Sequence, residues 1–302
     1  MALICFASPT GGVGRTTLAA NVARELSRAG ARVIAVDLDP QNALGMHFGL
    51  DLRDAFGFLA TLRYAADPRA AWRAALRSSP SGVSFLPYGQ LGMDGANATA
   101  AALSERPDML SDALQDMLSV SGVTVVADLP PGPSSTLAAA LRHATLLVVP
   151  VLPDPSSVAQ VPAVEGGRFG GVGSANGFDS KRLRYVINKW GMPGRLAGPI
   201  GQGIVQQLTG RLLGAVRYNE AIPEALAAQR LLGDFAPMTD AARDVTGLAA
   251  AIAAQIQAFR VPEPVAIMPQ ARAQTLRNTH PLSSLAEILP GSRPTVAQKA
   301  NR

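Results

Sequence analysis

Ten residues near the amino terminus, Ser8-Pro-Thr-Gly-Gly-Val-Gly-Arg-Thr-Thr17, restrict what this chain can fold into more than any other stretch. They follow a short apolar run, Ala2-Leu-Ile-Cys-Phe-Ala7, and open a helical pattern over Leu18–Ser27. A strand, a glycine-rich turn and a helix in that order form a cradle for phosphate. Gly11, Gly12 and Gly14 let successive amides of the loop, with that of Val13, turn inward, and the helix amino terminus adds partial positive charge. Thr16 stands where such a loop offers a hydroxyl to magnesium, with Thr17 behind it. The preceding residue is Arg15, where lysine is usual. Alone, the stretch describes a tight strand-to-helix turn equally well.

Two further stretches decide between those readings. After a left-handed cap at Gly30, a strand over Val33–Asp37 continues as Leu38-Asp39-Pro40-Gln41. Asp37 and Asp39 therefore fall at the carboxyl end of a parallel strand, where open α/β sheets bind ligands. A third apolar run, Val123–Asp128, also ends in aspartate and continues as Leu-Pro-Pro-Gly132. An aspartate so placed is a usual second anchor for nucleotide-bound magnesium.

The set Gly-Gly-Val-Gly-x-Thr-Thr, Val-Asp-x-Asp-Pro-Gln and Asp-x-Pro-Pro-Gly resembles the ParA/MinD group of P-loop ATPases with a deviant Walker A motif. Further likeness lies at Gly82–Pro87, Leu146–Pro150, Val186–Lys189 and Val216–Pro223, so that the resemblance covers residues 2–258. Within the group the chain looks most like the BcsQ branch, encoded with bacterial cellulose synthase. That narrower likeness rests on the loop, on Asp39–Gly45 and on Glu220–Leu226.

The resemblance implies ATP and Mg2+ as ligands. The nucleotide would be held by Gly11, Gly12, Val13, Gly14, Arg15, Thr16 and Thr17, with Asn188 at the adenine. The metal would be held by Thr16, Asp37 and Asp128, and Asp39 would position the attacking water. It also implies a homodimer and, on the BcsQ reading, cellulose synthase assembly components at the inner membrane as partners. The family's two loop lysines are here Thr10 and Arg15; the chain's three lysines are Lys181, Lys189 and Lys299. Thr10 is too short to reach a partner's nucleotide, and Arg15 offers a wide planar fork where the loop suits a compact ammonium. The expectation is ATP binding with very slow or absent hydrolysis, Arg15 and Asp39 being the catalytic candidates. A ParA-type partition ATPase binding nonspecific DNA and a MinD-like membrane ATPase are the competing readings.

Charge bears on those competitors. The net charge is +5, but residues 260–302 carry six basic and two acidic residues, leaving 21 basic and 20 acidic residues elsewhere. A nearly neutral domain lacks the concentrated basic stripe of a DNA-binding face, so DNA binding is not expected. Lys181-Arg-Leu-Arg184 is the nearest candidate and reads better as a strand entry. The single Cys5 excludes an internal disulfide, and His47, His143 and His280 have no metal-ligand spacing. No run approaches the apolar length of a spanning helix, and the amino terminus reads as a strand and not a signal peptide. The expected place is the cytoplasm, with recruitment to the inner membrane through partners.

The expected fold is α/β, a mainly parallel, doubly wound sheet over residues 1–259, followed by a flexible proline-rich tail over 260–302. Pro262, Pro264, Pro269, Pro281 and Pro290 interrupt that tail around one apolar island, Pro281–Leu289. Between the nucleotide motifs, Asp54 and Asp67-Pro68 read as helix starts, Trp72 and Leu76 as one inward face, and Pro80-Ser-Gly82 as the break before a strand at Val83–Leu86. Gly89–Ser104 reads as loop, with an amphipathic helix after Pro107. Later expectations are a helix from Asp154 interrupted at Pro162 and a glycine-rich loop over Glu165–Gly177, where relatives carry a longer helix. After these come strands at Arg184–Ile187 and Gly214–Val216 and helices over Ile222–Gln229 and Thr239–Phe259.

Overall fold

Residues of one short strand decide how the molecule is layered. In β1 (Ala2–Phe6) every side chain is buried, and alternate residues point to opposite faces. Leu3 and Cys5 join one apolar cluster, while Ala2, Ile4 and Phe6 join the other. A strand apolar on both faces needs helices above and below it, which is the doubly wound arrangement. The computed structural model describes residues 1–169 and 178–260. Residues 170–177 of the glycine-rich stretch and the tail beyond Arg260, with its island at Leu282, Leu285, Ile288 and Leu289, lie outside the described residues.

The elements follow in chain order. After β1 come α1 (Arg15–Arg28), β2 (Arg32–Asp37) and a 3-10 turn at Leu44–Phe48. The next stretch holds α2 (Phe58–Leu62), α3 (Ala71–Ala75), β3 (Arg77–Ser78), β4 (Ser84–Leu86), α4 (Met93–Glu105) and α5 (Asp108–Ser119). Then β5 (Val123–Asp128), α6 (Ser135–Leu141), β6 (Leu146–Val151) and α7 (Pro155–Glu165) alternate. The last elements are β7 (Leu183–Trp190), α8 (Ala197–Leu208), β8 (Leu212–Arg217), α9 (Ala221–Ala227), α10 (Leu232–Phe235) and α11 (Asp240–Arg260).

The strands form one eight-stranded sheet in the order β3-β4-β2-β5-β1-β6-β7-β8. All neighbours are parallel except β3, which runs antiparallel to β4 at the edge. Helices α5, α6 and α7 cover one face through Leu110, Leu114, Leu137 and Val161. Helices α1 and α11 cover the other through Leu18, Val22, Val245, Leu248, Ile252 and Ile256. The expected α/β class and mainly parallel sheet are what the structure shows.

Several local expectations are corrected. Gly89–Ser104 is not a loop throughout, because α4 forms from Met93; alanine favours helix strongly enough to need no inward stripe, and only Thr99 and Leu103 are buried there. Proline 162 lies inside α7 without ending it: Asp154 caps the helix by accepting from Ser157 N–H, and Val161 and Val164 anchor it to the core. No helix starts at Asp54, whose carboxylate accepts from Phe56 N–H before α2 begins. Leu76 leaves the helical conformation after α3, and the two-residue strand β3 follows before Pro80. Gly30 is the left-handed residue that closes α1, at φ 93°.

His47, in the 3-10 turn, is 3% exposed, and burial lowers its pKa to about 4. The unfolded chain takes up a proton near pH 6.5 and the native state does not until about pH 4, so this residue withdraws stability as pH falls through that window. The shift corresponds to about 3 kcal/mol. Chemical denaturation of the wild type and of His47→Gln should therefore show the wild type losing about 3 kcal/mol relative to the variant between pH 7 and pH 4.

Candidate functional site

The parallel register brings the three motifs to one edge. Phe6 pairs with Asp128 across β1 and β5, and Asp37 pairs with Asp128 across β5 and β2. The loop after β1 therefore rises beside two adjacent strand ends, each finished by a carboxylate. Within the loop Gly12 and Gly14 take φ 79° and 83°, the left-handed region that glycine enters without strain. Ser8 pins the approach, its hydroxyl donating to Thr10 C=O while Thr10 N–H donates back to it. Gly132 N–H donates to Ser8 C=O at 2.9 Å, tying the Pro-Pro-Gly turn after β5 to the same loop.

Helix α1 begins at Arg15 with no side-chain cap and no acidic residue in its first turn. By contrast α6 and α7 are capped by Ser134 and Asp154. An amino terminus left without a side-chain cap, opposite a glycine loop, leaves its positive end to an anion.

The carboxylates are buried and fully engaged. Arg15 reaches across them: its Nη2 lies 2.6 Å from Asp39 Oδ2 and its Nε 3.1 Å from Asp128 Oδ1. Thr16 Oγ1 donates to Asp128 Oδ2 at 2.6 Å. Asp39 Oδ1 accepts from Gln41 N–H. Asp37 accepts from Asp39 N–H at 3.0 Å and Leu44 N–H at 2.9 Å, so its carboxylate folds the chain after β2. Burial, and then the charge of Asp128, hold the Asp37 carboxyl well above the usual carboxylate range. Burial pushes Asp128 up to about 6 against the opposing pull of Arg15 and Thr16. Crowded carboxylates at one dry edge resist ionising together and attract whatever cation can reach them.

Beside the loop opens a cavity of about 220 Å3 lined by Gly14, Thr17, Asn188, Lys189, Tyr218 and apolar side chains from α9 and α11. Asn188, 5% exposed, donates from Nδ2 to Val13 C=O at 2.9 Å and so braces the loop while lining the cavity. Lys189 follows at φ 55°, turning the chain at the end of β7. Asn21 was not singled out in the sequence. It ties α1 to α10 by accepting from buried Leu232 N–H at 2.8 Å, and it lines the same cavity. Only its place one turn after Thr17 could have marked it. The structure thus gathers Arg15, Thr16, Asp39 and Asp128 into one hydrogen-bonded group, with Asp37 beside it and Asn188 on the loop's far side.

Fold and site together define a ParA/MinD-type P-loop protein. Its structure superposes on the septum site-determining protein MinD of Pyrococcus horikoshii, complexed with Mg-ADP, with a TM-score of 0.67 at 19% identity, covering 83% of this chain and 95% of that one. A family model described as cellulose biosynthesis protein BcsQ matches residues 1–252, and the chain belongs to that family. The cellulose biosynthesis protein BcsQ of Salmonella typhi is 28% identical over 254 residues, 82% of this chain and 93% of that protein. The chromosome-partitioning ATPase Soj of Thermus thermophilus is 37% identical over 150 residues, 49% of this chain and 53% of Soj. The match thus spans about half of each of these two chains.

A side chain at Gly14 tests the loop geometry. A Cβ there would stand 2.1 Å from Asn188 Nδ2, at a φ that side chains rarely adopt. Gly14→Ala should cost roughly 1–3 kcal/mol of stability. In urea titrations the double variant Gly14→Ala/Asn188→Ala should lose less than the sum of the two single losses, because it removes the clash but keeps the strained φ.

Proposed function

We propose that the chain is an ATP-binding accessory factor of bacterial cellulose synthesis that works as a nucleotide-dependent homodimer with weak or absent hydrolysis. The observation that carries the weak-hydrolysis reading is the position of Arg15. Its guanidinium is held by Asp39 and Asp128, so the loop's replacement cation can reach a terminal phosphate only by giving up two buried bonds. Membership of the BcsQ family supports the cellulose role. The loop from Gly11 to Thr17 would hold the phosphates on backbone amides and the α1 terminus. The apolar cavity beside Asn188 and Lys189 suits the base.

Magnesium fits the donors present. Thr16 Oγ1 and Asp128 Oδ2 are hard oxygen ligands already in contact, and Asp37 lies in register beside Asp128. Among the described residues no group of three or more His, Cys, Asp or Glu side chains forms a ready cage. This ion is commonly held by one or two carboxylates with substrate phosphates completing its shell. When bound, it would neutralise phosphate charge. Asp39 would orient a water beside the terminal phosphate, and the guanidinium of Arg15 would offset charge there less compactly than an ammonium.

Calorimetry with a nonhydrolysable ATP analogue should show binding, and a phosphate-release assay should show little turnover. Size exclusion should show a dimer only with the analogue. Turnover at the level of ordinary ParA proteins, abolished in Asp39→Ala, would overturn the weak-hydrolysis reading; no nucleotide binding would overturn the whole proposal.

The likeness to Soj favours one second reading, a partition ATPase on nonspecific DNA. The basic run at the start of β7 offers it little. Arg182 donates to Ala144 C=O, and Arg184 donates to Lys181 and Leu183 C=O with its guanidinium over the Phe259 ring. Nonspecific affinity comes from cations neutralising phosphates, and these are turned to backbone and ring. Fluorescence anisotropy with duplex DNA and ATP at physiological salt should show no saturation at ~1 μM protein. Tight ATP-dependent binding lost in Arg182→Ala/Arg184→Ala would establish the partition reading instead. Among the described residues no helix is long and apolar enough to cross a membrane. We place the protein in the cytoplasm, reaching the inner membrane through cellulose synthase components.

A further inference from the structure

Arg15 is the first residue of α1, at the mouth of a glycine-rich loop, and its side chain is bonded to Asp39 and Asp128. It is 7% exposed; Asp39 and Asp128 are 3% and 0% exposed. Its two bonds leave from separate nitrogens of one planar fork, Nη2 to Asp39 and Nε to Asp128, whereas an ammonium would have to bond both carboxylates from a single nitrogen. We propose that Arg15 is a latch: without nucleotide it ties Asp39 to Asp128, and a terminal phosphate in the loop draws it off and frees the segment after Asp39. The proposal rests on the nucleotide-binding reading above and adds to it a residue that distinguishes triphosphate from diphosphate.

Three features carry it. The pairing is buried, so Arg15 leaves only for a partner that matches two dry carboxylates. A terminal phosphate, doubly charged and able to accept from both arms of the fork, is such a partner. The backbone of Arg15 is fixed by the helix, while its long side chain is held only through the two carboxylate bonds, so exchanging those bonds moves the guanidinium without moving the loop.

Asp39, finally, is the hinge of its own segment. Besides Arg15 it accepts from Gln41 N–H through its side chain and from Asn42 N–H through its carbonyl, at 3.0 and 2.9 Å. Asn42 sits at φ 51° with its Oδ1 accepting from Gly89 N–H, and Leu44 N–H is held by Asp37. A latch holding Asp39 therefore holds residues 39–42, the turn that leads to Leu44. That segment leads into Met46, Gly49 and Leu52, which line an open groove of about 780 Å3 with Pro223 and Leu226.

A latch competes with the ligand, so breaking it should tighten binding. In calorimetry on the full chain with Mg2+, Asp39→Asn should bind a nonhydrolysable ATP analogue about tenfold more tightly than the wild type, with ADP affinity changed less than about twofold. Arg15→Lys suits the loop's phosphate better whether or not a latch exists, so a gain there supports the latch only together with the exchange readout that follows. Hydrogen exchange adds a readout apart from affinity. The amides of Gln41 and Asn42, both donating to Asp39, should exchange faster with the analogue than with ADP in the wild type, and should be fast in Asp39→Asn without nucleotide. Thermal melts establish that each variant is folded. If wild type and variants bind both nucleotides but neither variant gains affinity for the analogue, the latch is wrong and the nucleotide reading stands. If the wild type and both variants bind neither nucleotide, both fall.

Discussion

The side-by-side parallel pairing of β1, β5 and β2 is the constraint on which the rest depends. Parallel strands point all their carboxyl ends the same way, and this register puts Phe6, Asp128 and Asp37 at one level. A residue at the end of any of these strands is thus within side-chain reach of the next strand's end. Burying both faces of the sheet under helices makes that edge dry, and dryness gives a carboxylate pair its raised affinity for protons and cations. The helices on the two faces serve the site in this sense: packed on the sheet through apolar side chains, they exclude the water that would screen its carboxylates.

Burying charges so closely is unfavourable unless each is bonded, and in this edge each carboxylate is bonded differently. Asp37 is held by backbone amides, Asp128 by Thr16 and Arg15, Asp39 by Arg15 and the amide of Gln41. Removing one member of such a group leaves the others in low dielectric without a partner, which typically costs several kcal/mol. The second buried network, Arg24 with Glu25 and Asp234, and Glu25 with Thr246, is of another kind. It joins α1, α10 and α11 on the helical side and secures the helix whose amino terminus forms the loop.

The sequence was most legible where chemistry forces residue type and position together. The loop glycines, the aspartates closing β2 and β5 and the cap at Gly30 could be placed because few residues tolerate those backbone states or those roles. It was least legible on the surface and at close approaches. Helix α4 buries only Thr99 and Leu103, so no apolar period announced it. Helix α8 carries Gly198, Gly201 and Gly203, which weaken a helical pattern, yet Gly201 is needed where a Cβ would meet the Trp190 ring at 2.7 Å. The two residues of β3 are too few for any pattern. The bonds of Arg15 could not be read at all. They depend on the register between strands some ninety residues apart in the chain, and from sequence Arg15 showed only as a substitution for lysine.

That substitution joins two halves of the site through one Cα. The amide of Arg15 belongs to the uncapped amino terminus of α1, where an anion's charge is favoured, while its guanidinium lies among the carboxylates. A lysine at this position would contribute one point charge that can face either way at modest cost. An arginine fork that has bonded two buried carboxylates is committed until something displaces it, because breaking either bond strands a charge in low dielectric. Loop occupancy and the geometry of Asp39 therefore cannot change independently. On the proposed function, the replacement that would weaken phosphate transfer is the same one that ties the loop to the segment following β2, through Asp39.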